Sequence, residues 1–388
     1  MRSFEFATAQ QILFGPGRIS QLPALAAKHE LARAMVVTGS SPARVQPFVD
    51  LLRRGGVEVT LFAAASEPSV AMLRQAAAMA TEARCDGVIA IGGGSVIDLG
   101  KAVAALLRNT GNLFDYLEVI GKGSPLEHPS APCIAVPTTS GTGSEVTRNA
   151  VLFSPEYAVK VSLRSASMLP VAAIVDPELT RDVPPATTAA SGMDALTQLI
   201  EPYTSLRANP LTDALCVEAI PHAASALPKA FRQGTDMEAR ASMSLASLFG
   251  GLALANSGLG VVHGFAGPLG GMFNAPHGAI CAAILPQGMA ANIAHLRRSS
   301  APGVASVLER YAVVARLLTG REGARPEDGV EFVRDLSREL QIPTLAKFGM
   351  GPEHAQEVVD KSARASSMKA NPVVLSNEEL TEVYLRSL

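Results

Sequence analysis

The sequence predicts two domains: an α/β domain with a parallel sheet over residues 1–180, and an all-helical domain over residues 181–388. Up to residue 177, short continuous apolar runs alternate with Ala-rich helical stretches, a pattern typical of parallel strands covered by helices on both faces. From residue 184 onward we find no convincing strand, only Ala/Leu-rich stretches punctuated by Pro and Gly. A chain of 388 residues suits two domains. We expect a ligand-binding cleft between them.

The elements of the first half follow in alternating order. Each predicted strand is an apolar run that stops at Gly, Ser or Pro, and each predicted helix has apolar residues at helical spacing. The predicted strands are 34–38, 57–62, 87–91 and 131–136, and the predicted helices are 41–55, 70–84 and 96–107. A further apolar run at 172–175 closes this half.

Composition narrows the class of protein. Hydrophobic residues make up 48% of the chain and charged residues 18%, with a formal net charge of −2. The apolar content excludes a disordered chain, and the absence of a basic block argues against nucleic acid or an acidic membrane as partner. The four cysteines are far apart and the N-terminus lacks an apolar leader, so we expect a cytoplasmic protein with reduced thiols.

One uncharged segment is long enough to be a candidate membrane span. Residues 241–262 carry no charge and are long enough to cross a bilayer. Their many Ser and Gly residues, with no flanking aromatic belt, favour a helix buried in protein over one that faces lipid.

A glycine-rich turn follows the predicted strand 87–91. Glycines at 92–94 let the backbone approach a pyrophosphate, and the helix that follows offers free N–H groups at its N-terminus. The string matches neither the G-x-G-x-x-G fingerprint nor the P-loop, and the glycines could equally serve only to turn the chain.

A second loop, 137–145, follows the strand 131–136 and is rich in glycine and hydroxyl groups. Its alternative interpretation is a capping box, with Thr142 or Ser144 capping a helix that begins near Glu145. Two such loops at strand ends of one sheet favour a dinucleotide or phosphate ligand.

The helical half contains residues that could hold a divalent metal. Asp194 and Gln198 share one helix face at i and i+4, His263 ends the uncharged run, and His277 opens another helix. Asp and His are metal ligands, and the Gln198 amide oxygen is a weak one. Packing or helix capping would explain the same histidines, and spacing alone does not decide between the two.

Together these strings resemble the iron-containing (group III) alcohol dehydrogenases. The resemblance rests on 92–98, 137–145, 176–180, 192–196 and 276–278, which occur in the family's order. It implies a Rossmann-like domain that holds NAD(P), a helical domain that holds a divalent metal (iron or zinc), and the architecture of dehydroquinate synthase.

The resemblance also assigns site residues. Asp194, His263 and His277 match three of the family's four metal ligands, and Gln198 stands at the fourth. If no metal is held, we expect His263 and His277 to act as catalytic groups that donate hydrogen bonds to the developing alkoxide. The expected cofactor contacts lie at strand ends and in the loops above: Gly39, Ser40, Gly93, Gly94, Ser95, Asp98, Thr138, Thr139, Thr142, Lys160 and Leu179.

Three departures from the family pattern change what we expect. Gln198 replaces the usual fourth-ligand His, so iron is held less firmly and zinc or an empty site stays open. Gly267 stands where many members carry a further His near the substrate. After the second strand, Gly39-Ser40-Ser41 with Arg44 nearby replaces the Asp typical of NAD-specific members, which predicts tolerance of NADP(H).

The expected activity is reversible hydride transfer between NAD(P)(H) and a small alcohol or aldehyde, assisted by metal where the site is occupied. We also expect a homodimer or larger homo-oligomer. Two other enzymes stay open: a metal-independent reductase of a carboxylated substrate, similar to maleylacetate reductase, and a lyase similar to dehydroquinate synthase. A non-catalytic protein would leave both glycine loops and the Asp/His set without a purpose.

Overall fold

The structure is a computed structural model that describes residues 3–64, 66–157, 159–273 and 275–388. Two compact units form the chain. The α/β unit consists of Ala7–Thr139 and Gly143–Arg181, and the helical unit consists of Asp182–Leu388 with Ser140–Thr142 and the first residues of the chain up to Phe6.

A six-stranded parallel sheet organises the α/β unit, with strand order β1-β8-β5-β4-β2-β3. Its central strands are fully buried runs of small and β-branched residues, which confirms the predicted fold class. The strands are β1 (Ile12–Phe14), β2 (Arg33–Thr38), β3 (Glu58–Ala63), β4 (Gly87–Gly92), β5 (Cys133–Pro137) and β8 (Ala172–Val175).

Five helices belong to the α/β unit. Three of them, α2, α3 and α4, begin and end close to the predicted bounds, and a 3-10 turn at Pro42–Val45 occupies the start of the predicted helix 41–55. The short helices α1 and α5 were not predicted. The helices are α1 (Leu22–Lys28), α2 (Gln46–Arg54), α3 (Val70–Glu82), α4 (Gly94–Leu106) and α5 (Leu113–Tyr116).

An antiparallel hairpin that was not predicted from the sequence packs against helices α3 and α4. It pairs β6 (Asn149–Ser154) with β7 (Val159–Arg164), and the burial of β6 alternates along the strand. One face of this hairpin is fully buried and the other only partly, so its sequence is more polar than the buried runs that defined the predicted strands.

Helices make up the regular structure of the helical unit. No strand occurs in its described residues after 184. The helices are α6 (Pro185–Thr204), α7 (Pro210–Arg232), α8 (Met237–Ser257), α9 (Val261–Phe273), α10 (His277–Arg298), α11 (Val304–Thr319), α12 (Pro326–Glu339), α13 (Ala355–Ala363) and α14 (Asn377–Leu385). Their apolar faces form one core that includes Leu196, Leu227 and Phe265.

The uncharged segment 241–262 is not the single buried helix that we expected. Helix α8 ends at Ser257 and α9 begins at Val261, with a bend of 98° between them. The break occurs because Gly258 has a φ of 71°, the left-handed region that ends helices and favours glycine.

Among the described residues one helix, α10, is long and apolar enough to cross a membrane. Helices α8 and α9 meet the same criteria of length and apolar composition only if the bent pair is counted as one span. Within α10, 67% of the apolar window is buried inside the fold. A core helix of a helical domain shows the same burial.

Candidate metal centre and cofactor loops

Four side chains of the helical unit converge on one point. They are Asp194 on α6, His263 on α9, and His277 and Cys281 on α10, and their ligand atoms all lie within 4.8 Å of one another. Asp194 Oδ1 lies 3.3 Å from His263 Nε2 and 3.9 Å from His277 Nε2. The structure thus brings together the Asp and the two His that the sequence singled out, and adds a cysteine.

Close helix packing places His277 beside Asp194. A Cβ atom at Gly278 would lie 2.3 Å from the backbone oxygen of Ala190, so the first turn of α10 rests directly on the α6 backbone. Only glycine permits this approach, which explains the Pro-His-Gly string at 276–278. His277 is the first residue of α10, and Cys281 follows one turn later on the same face.

Glu201 orients His263. Its Oε2 accepts a hydrogen bond from His263 Nδ1 at 2.6 Å, and its Oε1 accepts one from the Val262 backbone N–H at 2.7 Å. A proton held on Nδ1 leaves the lone pair of Nε2 free to bind a cation. Glu201 lies seven residues after Asp194, on the same face of α6, so helical spacing could have revealed it.

Two buried oxygens at the centre have no partner among the described residues. Asp194 Oδ1 and Gln198 Oε1 are both buried and accept no hydrogen bond, although His263 Nε2 lies near Oδ1. A buried polar atom without a partner costs about 1–3 kcal/mol. A divalent cation bound between these oxygens and the imidazoles would satisfy them, so the residues present fit a metal ion.

The close approach of acidic and basic groups in the cluster shifts their pKa values. Burial works to raise the pKa of Asp194, but His263 and His277 outweigh it and lower that pKa below its ordinary value. Burial works to lower the pKa of His263, but Cys281, Asp194 and Glu201 raise it well above its ordinary value. Burial also raises the pKa of the Cys281 thiol to about 12 when no cation is bound.

Gln198 faces the same centre from α6. Its side chain donates to Asp194, while its Oε1 stays without a partner. A Cβ atom at Gly250 would lie 3.2 Å from Gln198 Cβ, so α8 packs closely behind this residue and fixes its position. The predicted weak ligand therefore lies at the cluster, one helical turn from Asp194.

The glycine turn of the α/β unit has the predicted strand–turn–helix form. Gly93 caps α4, and Gly94 and Ser95 are its first two residues, where backbone N–H groups lack helical partners. Strands β4 and β5 are neighbours, and a Cβ atom at Gly93 would lie 3.3 Å from Thr139 Oγ1. The first loop and the Thr138–Thr139 part of the second therefore meet at one edge of the sheet.

The other expected cofactor residues lie at several places. Gly39 and the exposed Ser40 follow β2, the strand next to β4, where the strand order reverses and such sheets bind ligands. Leu179 follows β8 at the same edge. Lys160 lies on β7 and pairs with Glu67 at 2.7 Å.

Asp98 is held inside the fold. Its carboxylate accepts hydrogen bonds from Ser144 and from the Val151 backbone N–H at 2.9 Å, and it pairs with the buried Lys101 at 3.0 Å. These partners join α4 to the second loop and to β6. No pattern in the sequence indicated these contacts of Asp98.

The second loop divides between the two units. Thr138 and Thr139 belong to the α/β unit, whereas Thr142 belongs to the segment Ser140–Thr142 that packs with the helical unit. There Ser140 Oγ lies 3.1 Å from Ser244 Oγ. The loop continues as a 3-10 turn at Ser144–Val146 and enters β6, so the helix of the capping-box alternative does not form.

Comparisons with known proteins agree with this description. The family model for iron-containing alcohol dehydrogenases matches residues 9–177, and the model for the C-terminal part of that family matches residues 188–388. A probable alcohol dehydrogenase, EutG, of Salmonella typhimurium is 36% identical over 340 residues, which cover 87% of this chain and 82% of the relative.

Two further proteins match nearly the whole chain. The 1,3-propanediol dehydrogenase of Klebsiella pneumoniae is 32% identical over 395 residues, covering 99% of this chain and 98% of the relative. A crystal structure of sulfoacetaldehyde reductase from Bifidobacterium kashiwanohense in complex with NAD⁺ superposes with a TM-score of 0.87 and 29% identity, covering 99% and 98% of the two chains.

Proposed function

The chain belongs to the iron-containing alcohol dehydrogenase family, and we propose that it transfers a hydride reversibly between NAD(P)(H) and a small alcohol or aldehyde with the help of a bound divalent metal. The observation that carries the proposal is the convergence of Asp194, His263 and His277 around a buried oxygen that has no partner among the described residues. The family assignment favours this activity over the lyase and the non-catalytic alternatives.

The α/β unit supplies the cofactor site in this proposal. The N-terminus of α4 binds the pyrophosphate, because Gly93 and Gly94 let its backbone approach and the first N–H groups point outward. Thr138 and Thr139 line the nucleotide from the next strand end. The relative solved with NAD⁺ supports a nicotinamide cofactor.

The coenzyme choice follows from the end of β2. Gly39 and Ser40 present no carboxylate there, and the exposed Arg44 lies in the following 3-10 turn. A 2′-phosphate meets no repulsion at this place and has a cation within a short chain distance. We therefore propose that NADP(H) is accepted.

The helical unit supplies the metal site. Asp194, His263 and His277 would hold the ion, with Gln198 beside them, and a cation bound there would supply Lewis-acid polarisation of the carbonyl or alcohol oxygen. Glu201 fixes the tautomer of His263, and the buried surroundings of His263 limit access of water. In hydride transfer these residues would position the cation and the substrate oxygen, and the reducing electrons would come from NAD(P)H.

We also propose that the protein works in the cytoplasm as a homo-oligomer. The four cysteines are all free thiols, which suits a reducing compartment. The high apolar content of the chain and its family membership support the proposal of a homo-oligomer.

The test is a panel of short aldehydes, with and without a terminal hydroxyl or carboxylate, assayed with NADH and with NADPH on protein of known metal content. We expect reduction of uncharged short aldehydes, and we expect Asp194→Ala to abolish it while NAD(P)H fluorescence titration still shows binding. Reduction confined to carboxylated substrates and indifferent to metal would favour the maleylacetate-reductase-like alternative. No binding of NADH or NADPH would contradict the proposal.

A further inference from the structure

We propose that Cys281 is a ligand of the metal centre, so that this chain holds its ion with Asp194, His263, His277 and Cys281 and prefers zinc over iron. The inference rests on the proposed metal site of the helical unit and assigns to it a ligand that the sequence comparison with the family does not provide.

The first observation is the position of the sulfur. Cys281 Sγ lies 3.6 Å from His277 Nε2 and 3.8 Å from His263 Nε2, and within 4.8 Å of the Asp194 carboxylate. His277 and Cys281 are four residues apart on α10, so both side chains leave the same face of the helix. The Cys281 side chain is fully buried, so it has no contact with solvent.

These separations match a four-coordinate site. Zinc binds His nitrogen at about 2.0–2.1 Å and Cys sulfur at about 2.3 Å, so the edges of a tetrahedron around it are about 3.3 Å between nitrogen and oxygen and about 3.6 Å between nitrogen and sulfur. Four of the six separations are 3.3 Å, 3.6 Å, 3.8 Å and 3.9 Å, which lie between zero and about 0.6 Å above those edges. The other two are at most 4.8 Å. An ion therefore fits between the four atoms with small side-chain movements.

The second observation is independent of the cysteine. Asp194 Oδ1 is buried, has no hydrogen-bond partner among the described residues, and belongs to the same cluster as Sγ. Asp194 is 2% exposed, so no bulk water satisfies this oxygen. A cation at the centre of the four ligand atoms satisfies it.

The charge and the softness of the ligands favour zinc over iron(II). Coordination removes the thiol proton to solvent, and the resulting thiolate together with the Asp194 carboxylate balances the charge of a divalent ion. A thiolate with imidazoles favours zinc, whereas oxygen and nitrogen ligands alone suit iron(II). The remaining candidate for the fourth ligand, the Gln198 amide oxygen, is neutral and weaker.

The experiment uses cobalt(II) as a spectroscopic probe for zinc in the full-length protein after removal of metal with a chelator. A thiolate ligand gives the cobalt complex a sulfur-to-metal charge-transfer band in the near ultraviolet, which an Asp/His/His/Gln site lacks. We expect this band in the wild type at one cobalt per chain. We also expect zinc to displace cobalt and to bind more tightly than iron(II) in competition.

Variants identify the sulfur. Cys281→Ala and the near-isosteric Cys281→Ser should lose the band, and Cys281→Ala should bind zinc at least about 100-fold more weakly, because even second-sphere changes cost 10–100-fold. Cys216→Ala is the matched control, since Cys216 is equally buried in the helical unit but lies outside the cluster. It should keep both the band and the affinity.

The wild-type cobalt spectrum tests for a thiolate ligand even if a variant fails to fold. A cobalt complex without the band, or a Cys281→Ala protein that keeps band and affinity, overturns the assignment of Cys281. If aldehyde reduction by the wild type persists in that case, only the ligand assignment fails and the proposed function stands. If neither cobalt binding nor aldehyde reduction is found, the proposed function fails as well.

Discussion

Replacing Gly278 with alanine should loosen the helical unit and its metal centre together. The added Cβ would lie 2.3 Å from the Ala190 oxygen and 2.7 Å from its carbonyl carbon. An ordinary contact is about 3.5 Å, so the start of α10 must move away from α6 by about 1.2 Å. The obstacle is backbone, which no rotamer change relieves.

The energetic cost can be worked from that clash. Overpacking of this kind costs about 1–3 kcal/mol, and the rigid partner favours the upper part of that range. Alanine regains at most about 1 kcal/mol of helix propensity. We expect a net loss of about 2 kcal/mol, which lowers the Tm of a unit of this size by about 4–8 °C. The shift also carries His277 away from Asp194, so zinc affinity should fall.

Differential scanning calorimetry with and without zinc measures both effects. The matched control is Gly323→Ala, at an exposed position of the helical unit where a Cβ meets nothing within 4 Å and φ is not in the left-handed region. This change should leave Tm unchanged or raise it slightly. A Gly278→Ala protein with wild-type Tm and wild-type zinc affinity would refute the packing argument.

Three other perturbations test separate parts of the structure. Burial raises the pKa of Glu145 to about 7, with nearby Lys101 partly opposing it, so the folded state binds this proton more tightly than the unfolded state. This group stabilises the fold below pH about 4.5, and about 3 kcal/mol of that stability is lost as the pH rises through 7. In urea unfolding at pH 5 and pH 8, the wild type should lose more stability than Glu145→Gln by about that amount, and equal losses would contradict the burial argument. Glu201→Gln places an amide N–H against His263 Nδ1 and so moves the ring proton to Nε2. Zinc binding should weaken by about 10–100-fold while the protein stays folded. Unchanged zinc affinity in a competition titration would exclude the orienting role of Glu201. Arg44→Ala should raise the KM for NADPH on the order of 5-fold, about 1 kcal/mol, without changing the KM for NADH. An equal change in both KM values would show that Arg44 does not contribute to the coenzyme preference.

The sequence predicted five of the six strands of the parallel sheet, because its central strands are buried on both faces. It missed the short edge strand Ile12–Phe14, which is only partly buried. Runs such as 87–91 are continuously apolar and end at glycine, and the structure places a strand at Gly87–Gly92. The hairpin β6–β7 escaped because its residues alternate between partial and full burial, and its Ser and Asn residues look like loop. Local pattern alone does not show which neighbour covers such a strand.

The candidate site was predictable only where residue type itself suggests metal binding. Asp194, His263 and His277 stand out as ligand types, but their convergence depends on Gly278 and on the bend after Ser257, which are features of tertiary packing. Cys281 lies in an apolar helix and looks like an ordinary buried thiol. Glu201 shares a helix face with Asp194, yet its partner His263 is 62 residues away along the chain.

In our proposal the reaction requires a divalent metal that the helical unit holds. The direct measurement follows aldehyde reduction in wild-type protein stripped of metal by a chelator, before and after zinc or iron(II) is restored to one ion per chain, with Asp194→Ala in parallel. We expect activity to disappear on stripping and return on restoration in the wild type only, with NAD(P)H binding unchanged throughout. Undiminished aldehyde reduction by the metal-free wild type would contradict the account.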